Sequence, residues 1–492
     1  MSSRLMPLAL ALSLAIRVAA ATAPAAGAAA PGDAPRPDVT ALLEKGKAAA
    51  AELKSDYDRR DTYVVLAHAQ AAAGDKAAAR ASLLAAREAL AGEDHPDTNR
   101  VSSCCEIADE LVKVDDRAEA AATLQRASRI AAGIRHSYVR ADAYREVAPR
   151  RARLGDDDGA TADFDAAVRA AEEDPSRRDG RFKWIARSMA NAGRFAAADA
   201  LAERIADKSD RWMAYEEVAA ARARAGDMAG ARKVVDRLPD DEKCDGRWAI
   251  VRSLYSARKF DDALAVAAEM GDCPEREIAY AGIAEGQAEA GDVAGAKATA
   301  ALVQWGYHKE DVFSALALAQ ARAGDPAGAK ASAALALQGL AARNDPFWRD
   351  HAQVHTAVGR ALALAGDTAG AKANFAEARS AADKGETDDR YHGSYKWEAL
   401  AALASAQAEA GDPDAARATL AAIEHAEYVE DDDYRAKACQ GIAAAEAPRG
   451  DLPALHKWID TLKDPLSRAY AFAGAAEALA QKASARPVNP SP

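Results

Sequence analysis

The sequence predicts an all-α protein, an α-solenoid of antiparallel helical hairpins, and three observations predict it. Hydrophobic residues make up 50% of the chain but aromatics only 6%; the alanine excess behind that gap suits closely packed helices, not a sheet. Glycine and proline fall mostly between the apolar stretches rather than inside them. Above all, the chain repeats itself. The string Ala-Gly-Asp recurs at Gly74, Gly226, Gly291, Gly324, Gly366 and Gly411, with related hinges at Asp115, Gly155, Gly193, Arg258 and Gly450. That makes eleven units spaced 32 to 45 residues apart, with four central spacings of 33, 32, 33 and 33.

Aligned on their hinges, the units share columns. Eight residues before the hinge stands an aliphatic residue, from Leu66, Ile107 and Val147 to Leu403 and Ile442. Eleven before it an aromatic is common: Tyr63, Tyr144, Phe182, Tyr215, Tyr280 and Phe313. Five after it comes alanine, as at Ala79, Ala231 and Ala416, with Leu455 as the exception. Offsets of −11, −8, −7 and −4 share one face of a 3.6-period helix. Glycine ends that helix because it enters the left-handed conformation without a steric cost. The aspartate after it caps the next helix, and the small residue at +5 lets the two helices close on each other. A lone hairpin cannot bury its apolar face, so the units must stack.

In chain order, residues 1–21 read as a signal peptide: Arg4, the apolar run Leu5–Ile16, then Ala19-Ala20-Ala21 before a cut at Thr22. Arg17 interrupts the run well before the ~20 apolar residues a spanning helix needs. Residues 22–37 form an Ala/Pro-rich linker and 38–482 the solenoid, with residues 483–492 as a disordered tail. Val39–Lys54 reads as a helix capping the first unit. Residues 466–482 repeat the first-helix pattern, with Arg468 and Phe472 in register, and read as the final cap.

An aromatic, an aliphatic and a small residue, then Gly-Asp, then Ala: over roughly residues 57 to 462 this resembles the tetratricopeptide repeat family. The loop from Gly92 to Thr98 is similar to inter-repeat loops of kinesin-light-chain-type members. The chain departs from the family where an aromatic is expected four residues before the hinge; Gln70, Gln287, Gln320 and Gln407 stand there instead. The resemblance implies a right-handed superhelix whose first helices line a concave groove, and a scaffold that binds a protein or peptide there.

Chemical motifs do not compete with this reading. Gly291–Lys297, Gly324–Lys330 and Gly366–Lys372 mimic a phosphate loop, but only three residues separate the glycines and Ala precedes Lys. Asp156-Asp157-Asp158-Gly159 would put Leu154 at the first ligand position of a calcium loop. His351 and His355 share a helix face, yet Ala352 occupies the place of the metalloprotease glutamate and His355 falls in the apolar −11 column. No cofactor, metal or catalytic residue is nominated, and the chain is expected not to be an enzyme. A net charge of −12 disfavours nucleic acid and anionic membrane.

Cys104 and Cys439 fall in the −11 column and read as buried thiols; Cys105 follows Cys104 directly. Cys244 and Cys273 flank the sixth hinge at −14 and +15, matching heights in an antiparallel hairpin, so an oxidising compartment would join them. A basic column stands fifteen residues before the hinges: Arg59, Arg100, Arg140, Arg178, Arg211, Lys243, Arg276, Lys309, His351, Lys396 and Arg435. A cation at a helix start is electrostatically unfavourable. It therefore bridges to acids on the adjoining hairpin, or forms a ladder for an acidic partner.

The face at −10, −6 and −3 lies roughly 100° around the first helix from the core face. In units 4 to 6 it carries Lys183, Arg187, Trp248, Arg252 and Tyr255, with Trp184 and Trp212 nearby; aromatics and arginines are typical interface anchors. The family's carboxylate clamp of Lys, Asn and Arg is not reproduced. The expected function is a periplasmic or secreted scaffold holding a protein or peptide in its groove. The alternatives are a helical enzyme or the arm of a cell-wall-active enzyme, and a structural spacer.

Overall fold

The structure is a computed structural model that describes residues 37–90, 97–304, 308–343, 347–385, 392–423 and 433–484. The expected signal peptide, most of the linker, the loop at Gly92–Pro96 and nearly all of the tail lie outside them. Helix α1 (Pro37–Ala51) comes first. Hairpins 1 to 4 are α2 (Asp56–Ala72) with α3 (Lys76–Ala89), α4 (Thr98–Lys113) with α5 (Arg117–Gly133), α6 (Ser137–Arg153) with α7 (Asp157–Glu172), and α8 (Arg178–Asn191) with α9 (Phe195–Glu203). Hairpins 5 to 8 are α10 (Lys208–Arg224) with α11 (Met228–Val235), α12 (Lys243–Ser256) with α13 (Phe260–Ala268), α14 (Pro274–Glu289) with α15 (Val293–Ala300), and α16 (Lys309–Arg322) with α17 (Pro326–Ala341). Hairpins 9 to 11 are α18 (Trp348–Leu364) with α19 (Thr368–Asp383), α20 (His392–Glu409) with α21 (Pro413–Ala421), and α22 (Tyr434–Glu446) with α23 (Leu452–Ile459); α24 (Pro465–Ser484) ends the array. Among the described residues there is no strand.

The hinges work as their residues require. All eleven have positive φ: nine are glycines between 74 and 450 with φ from 76° to 104°, and Asp115 (67°) and Arg258 (59°) take the same conformation. Asp75, Asp116, Asp156, Asp227, Asp292, Asp325, Asp367, Asp412 and Asp451 then each accept a backbone N–H from three residues on, at 2.8–3.1 Å. Each such cap stabilises its helix by about 1 kcal/mol. The phosphate-loop and calcium-loop mimics are these caps: Asp292 on Gly295, Asp325 on Gly328, Asp367 on Gly370, Asp156 on Gly159.

The glutamines that replace the expected aromatic are buried and bonded. The Oε1 atoms of Gln70, Gln287, Gln320 and Gln407 accept the hydroxyls of Ser82, Thr299, Ser332 and Thr419 at 2.7–2.8 Å. Each bond ties the first helix of a hairpin to the second through the core, where an unmade partner would cost about 1–3 kcal/mol.

The first helices of most neighbouring hairpins pack directly on one another, whereas the second helices meet through side-chain bonds such as Arg87 with Glu119 and Ser128 with Asp163. The even-numbered helices therefore form an inner layer and the odd-numbered ones an outer layer. The two terminal helices are where the array departs from an open rod with two separate caps. Helix α24 packs on α22, as the next inner helix should, and also on α2. Helix α1 packs on α24 as an outer helix packs on its hairpin mate, and on α2 as an outer helix packs on the next inner one. The chain's two ends together make a twelfth hairpin, and the array closes into a ring. One core spans the junction: Val39, Leu42, Leu43, Leu66, Phe472 and Leu479 are all buried in a single cluster. Gly46 permits the close approach, since a Cβ there would stand 2.7 Å from Leu66 Cδ2 and 3.6 Å from Phe472 Cβ. Arg468 pairs with Glu52 across the joint. The physical reason is complementarity: a terminal inner helix and a terminal outer helix each bare the face that the other needs. Twelve inner helices spaced 8–10 Å apart enclose an opening of roughly 20–28 Å once their own thickness is subtracted.

Candidate interaction surface on the inner wall

The basic column is settled by its partners. Arg140 Nη1 donates to the Ile134 carbonyl at 2.9 Å, and Arg435 Nη1 to the Leu420 and Ile423 carbonyls at 3.0 and 3.1 Å. Arg468 Nη1 reaches Leu462 and Lys463, Lys396 reaches Gly385, and Arg59, Arg100, Arg211 and Arg276 reach Leu53, Leu90, Ile205 and Gly271. These carbonyls lie at or just beyond the C-terminal end of the preceding outer helix, the negative end of its dipole. The column's main work is thus to cap the helix before it. Acids hold others or share them, as Arg140 with Glu173, Arg178 with Asp179, Lys243 with Asp240 and Arg276 with Asp272.

The expected anchors lie in hairpins 4 to 6, and the structure joins most of them through acids. Arg187 Nε and Arg252 Nη2 both lie 3.3 Å from the Glu217 carboxylate, so one glutamate on α10 clasps α8 and α12. Arg187 stands 5.5 Å from the Trp184 ring centroid and Arg252 4.7 Å from that of Trp248, within cation–π range. Lys183 bonds Asp210 at 2.6 Å and stands 5.2 Å from the Trp184 ring. Tyr255 packs on Gly282 of α14, where a Cβ would come within 2.8 Å of its ring. Trp212 packs, half-buried, against the core. At offset −14 it falls between the core face and the wall, apart from the arginine–tryptophan group.

Sequence offsets alone did not reveal Glu217, nor the carboxylates around it. Glu216 on α10, Asp245 on α12, Glu285 on α14 and Asp311 on α16 occupy offsets −10, −13, −6 and −13, on the face turned from the outer helices. None forms an ion pair among the described residues, although salt bridges join hairpins throughout the ring. Burial, followed by the charges of Asp245, Glu242 and Glu217, pushes the Glu216 carboxyl up to about 7. Desolvation by the surrounding wall and the nearby Glu310 and Asp350 raise Asp311, although its side chain remains exposed, and burial with Asp311 and Glu289 beside it raises Glu285 well above the usual range. The common signal was an acid on the groove face of successive units with no base at matching height on the next.

His351 and His355 stack with ring centroids 6.0 Å apart, and His355 Nδ1 meets Asn374 Oδ1 at 2.8 Å, a bond within hairpin 9. No third metal-type ligand joins them among the described residues. Cys104, Cys105 and Cys439 are buried free thiols, with burial pushing Cys439 up to about 12. The sulfurs of Cys244 and Cys273 are brought together, with Cα atoms 6.8 Å apart. No helix among the described residues is long and apolar enough to cross a membrane.

No protein-family profile matches the chain, and no curated protein sequence matches it. Among solved structures it is similar to yeast Tom70, at 15% identity over 86% of this chain and 99% of that one, with a TM-score of 0.32. The pentatricopeptide repeat protein PPR10 from maize aligns at 15% identity over 87% of this chain and 63% of its own, TM-score 0.33. Ton1535 from Thermococcus onnurineus aligns at 17% identity over 73% and 94%, TM-score 0.26. The fold is an α-solenoid of helical hairpins, each with a left-handed hinge, in most an aspartate cap, and small residues where the paired helices close on each other.

Proposed function

We propose that this chain is an exported protein-interaction scaffold whose ring holds a basic, extended peptide or helix against the inner wall of hairpins 4 to 8. The observation that carries this reading is the run of carboxylates with no cationic partner among the described residues, Glu216, Asp245, Glu285 and Asp311, on the inner helices of hairpins 5 to 8, with Trp184 and Trp248 on those of hairpins 4 and 6. Lysine or arginine side chains of a partner would neutralise the acids and lie on the tryptophan faces. Arg187, Arg252 and Glu217 would hold the rings in place, and the mechanism would be noncovalent. A helix about 10–12 Å across fits the estimated opening.

One observation favours a second reading, the structural spacer: Lys183, Arg187 and Arg252 are already paired within the ring. Crosslinking capture from the periplasmic or secreted fraction separates the two. A scaffold enriches a basic partner that is lost with Glu216→Gln, Asp311→Asn and at high salt; a spacer retains nothing specific. Mature protein beginning at Thr22 in that fraction would support export, and an intact Met1 in the cytoplasm would remove it.

A further inference from the structure

We propose that Cys244, Cys273 and Glu275 form a binding site for a thiophilic divalent cation such as Zn²⁺, open when the Cys244–Cys273 pair is reduced. Cys244 lies in the first turn of α12, Cys273 is the residue that precedes α14, and Glu275 lies in the first turn of α14. One ligand atom from each falls within 4.8 Å of the other two, and all three residues are half-buried. A tetrahedral ion with Zn–S distances of about 2.3 Å and Zn–O of about 2.0–2.2 Å fits within that span. The Cα separation of 6.8 Å is at the top of the range a disulfide bridges, about 4.4–6.8 Å, and leaves room for thiolates on two sides of an ion.

The backbone prepares the place. Gly271 takes a φ of 66° and turns the chain after α13, so that Cys273 faces α12. The Met270 carbonyl lies 3.4 Å from Cys273 Sγ and 3.8 Å from Cys244 Sγ, so one backbone group faces both sulfurs. Both cysteines sit at helix N-termini, where free N–H groups and the dipole favour thiolate over thiol. Two thiolates and a carboxylate select Zn²⁺ over Mg²⁺ or Ca²⁺. The fourth tetrahedral position is left to water.

The redox state decides occupancy. A dithiol reductant passes two electrons and two protons to the bonded pair, giving two thiols and leaving itself a disulfide. Binding Zn²⁺ then releases both thiol protons. In an oxidising compartment the pair is bonded and the site closed; a thiol–disulfide reductase opens it.

The test uses the full chain, stripped with a chelator, reduced with a phosphine and titrated anaerobically with Co²⁺. A thiolate-to-cobalt charge-transfer band saturating at one ion per chain and displaced by Zn²⁺ is expected. The band is absent after oxidation and in Cys244→Ser and Cys273→Ser. Affinity falls at least about tenfold in Glu275→Gln, and Cys104→Ser with Cys105→Ser leaves the titration unchanged. Circular dichroism checks that each variant is folded. Reduced wild-type protein with both thiols free but no band overturns the proposal, as does a band that survives Cys244→Ser.

Discussion

Ring closure makes a perturbation at one end of the chain visible at the other. Leu42 of α1 is fully buried in the cluster that also holds Leu66, Phe472 and Leu479. Leu42→Ala removes its side chain from water-free packing and leaves a cavity, at a cost of about 2–5 kcal/mol. A middle value of about 3 kcal/mol raises the open population of that joint roughly a hundredfold. In an open rod the loss would fray α1 and α2 alone. In the ring the same joint holds α24, so its amides lose protection as well, although they lie far away in sequence. Hydrogen exchange followed by mass spectrometry, peptide by peptide, reads this directly. Exchange in residues 465–484 faster by one to two orders of magnitude, with hairpins 5 to 7 unchanged, is expected. Unchanged protection of α24 beside a loosened α2 would refute closure.

Arg258 is a non-glycine hinge at φ 59°, a conformation that costs an ordinary side chain about 1–2 kcal/mol, so Arg258→Gly should raise stability by about 1 kcal/mol, seen as a higher urea midpoint at unchanged slope. Gln320→Leu strands the buried Ser332 hydroxyl and should cost about 1–3 kcal/mol, with much of it recovered when Ser332→Ala is added; equal stability of single and double variants would show the bond carries nothing. Glu216 has a folded value of about 7 against an ordinary 4.5. Its contribution is therefore fully present below pH 4.5 and is lost as pH rises through 7. Because the group is partly exposed, we expect about 1 kcal/mol of stability lost between pH 5 and 8, and Glu216→Gln should flatten that slope in urea titrations at the two pH values.

The hairpins were legible because their determinants are local. Hinge, cap and the columns at −11, −8, −7 and +5 all fall within one unit, and a fixed offset finds them. Closure was written in the sequence too, though not read: Phe472 and Arg468 carry first-helix spacing, while Val39, Leu42, Leu43 and Gly46 of α1 carry a second-helix face. Recognising them as halves of one hairpin requires pairing residues more than 400 positions apart, as Glu52 and Arg468 are. The same offset logic put Arg187, Trp248 and Arg252 on the inner face, with Trp184 nearby. Their clasp was not found, because Glu217 belongs to the hairpin between them. The basic column was explained only in part: acids hold Arg140, Arg178 and Lys243, but carbonyls, which carry no letter in the sequence, hold Arg59, Arg100, Arg211 and Arg435.

The joint between α1 and α24 also sets an order on biosynthesis. Helix α1 has its mate in α24, so Val39, Leu42 and Leu43 must wait while more than 400 further residues are translated. At about 5–20 residues per second that delay is roughly 20–90 seconds. During it nascent α1 offers a bare apolar stripe to chaperones, and the ring gains its fastening only once α24 has been made.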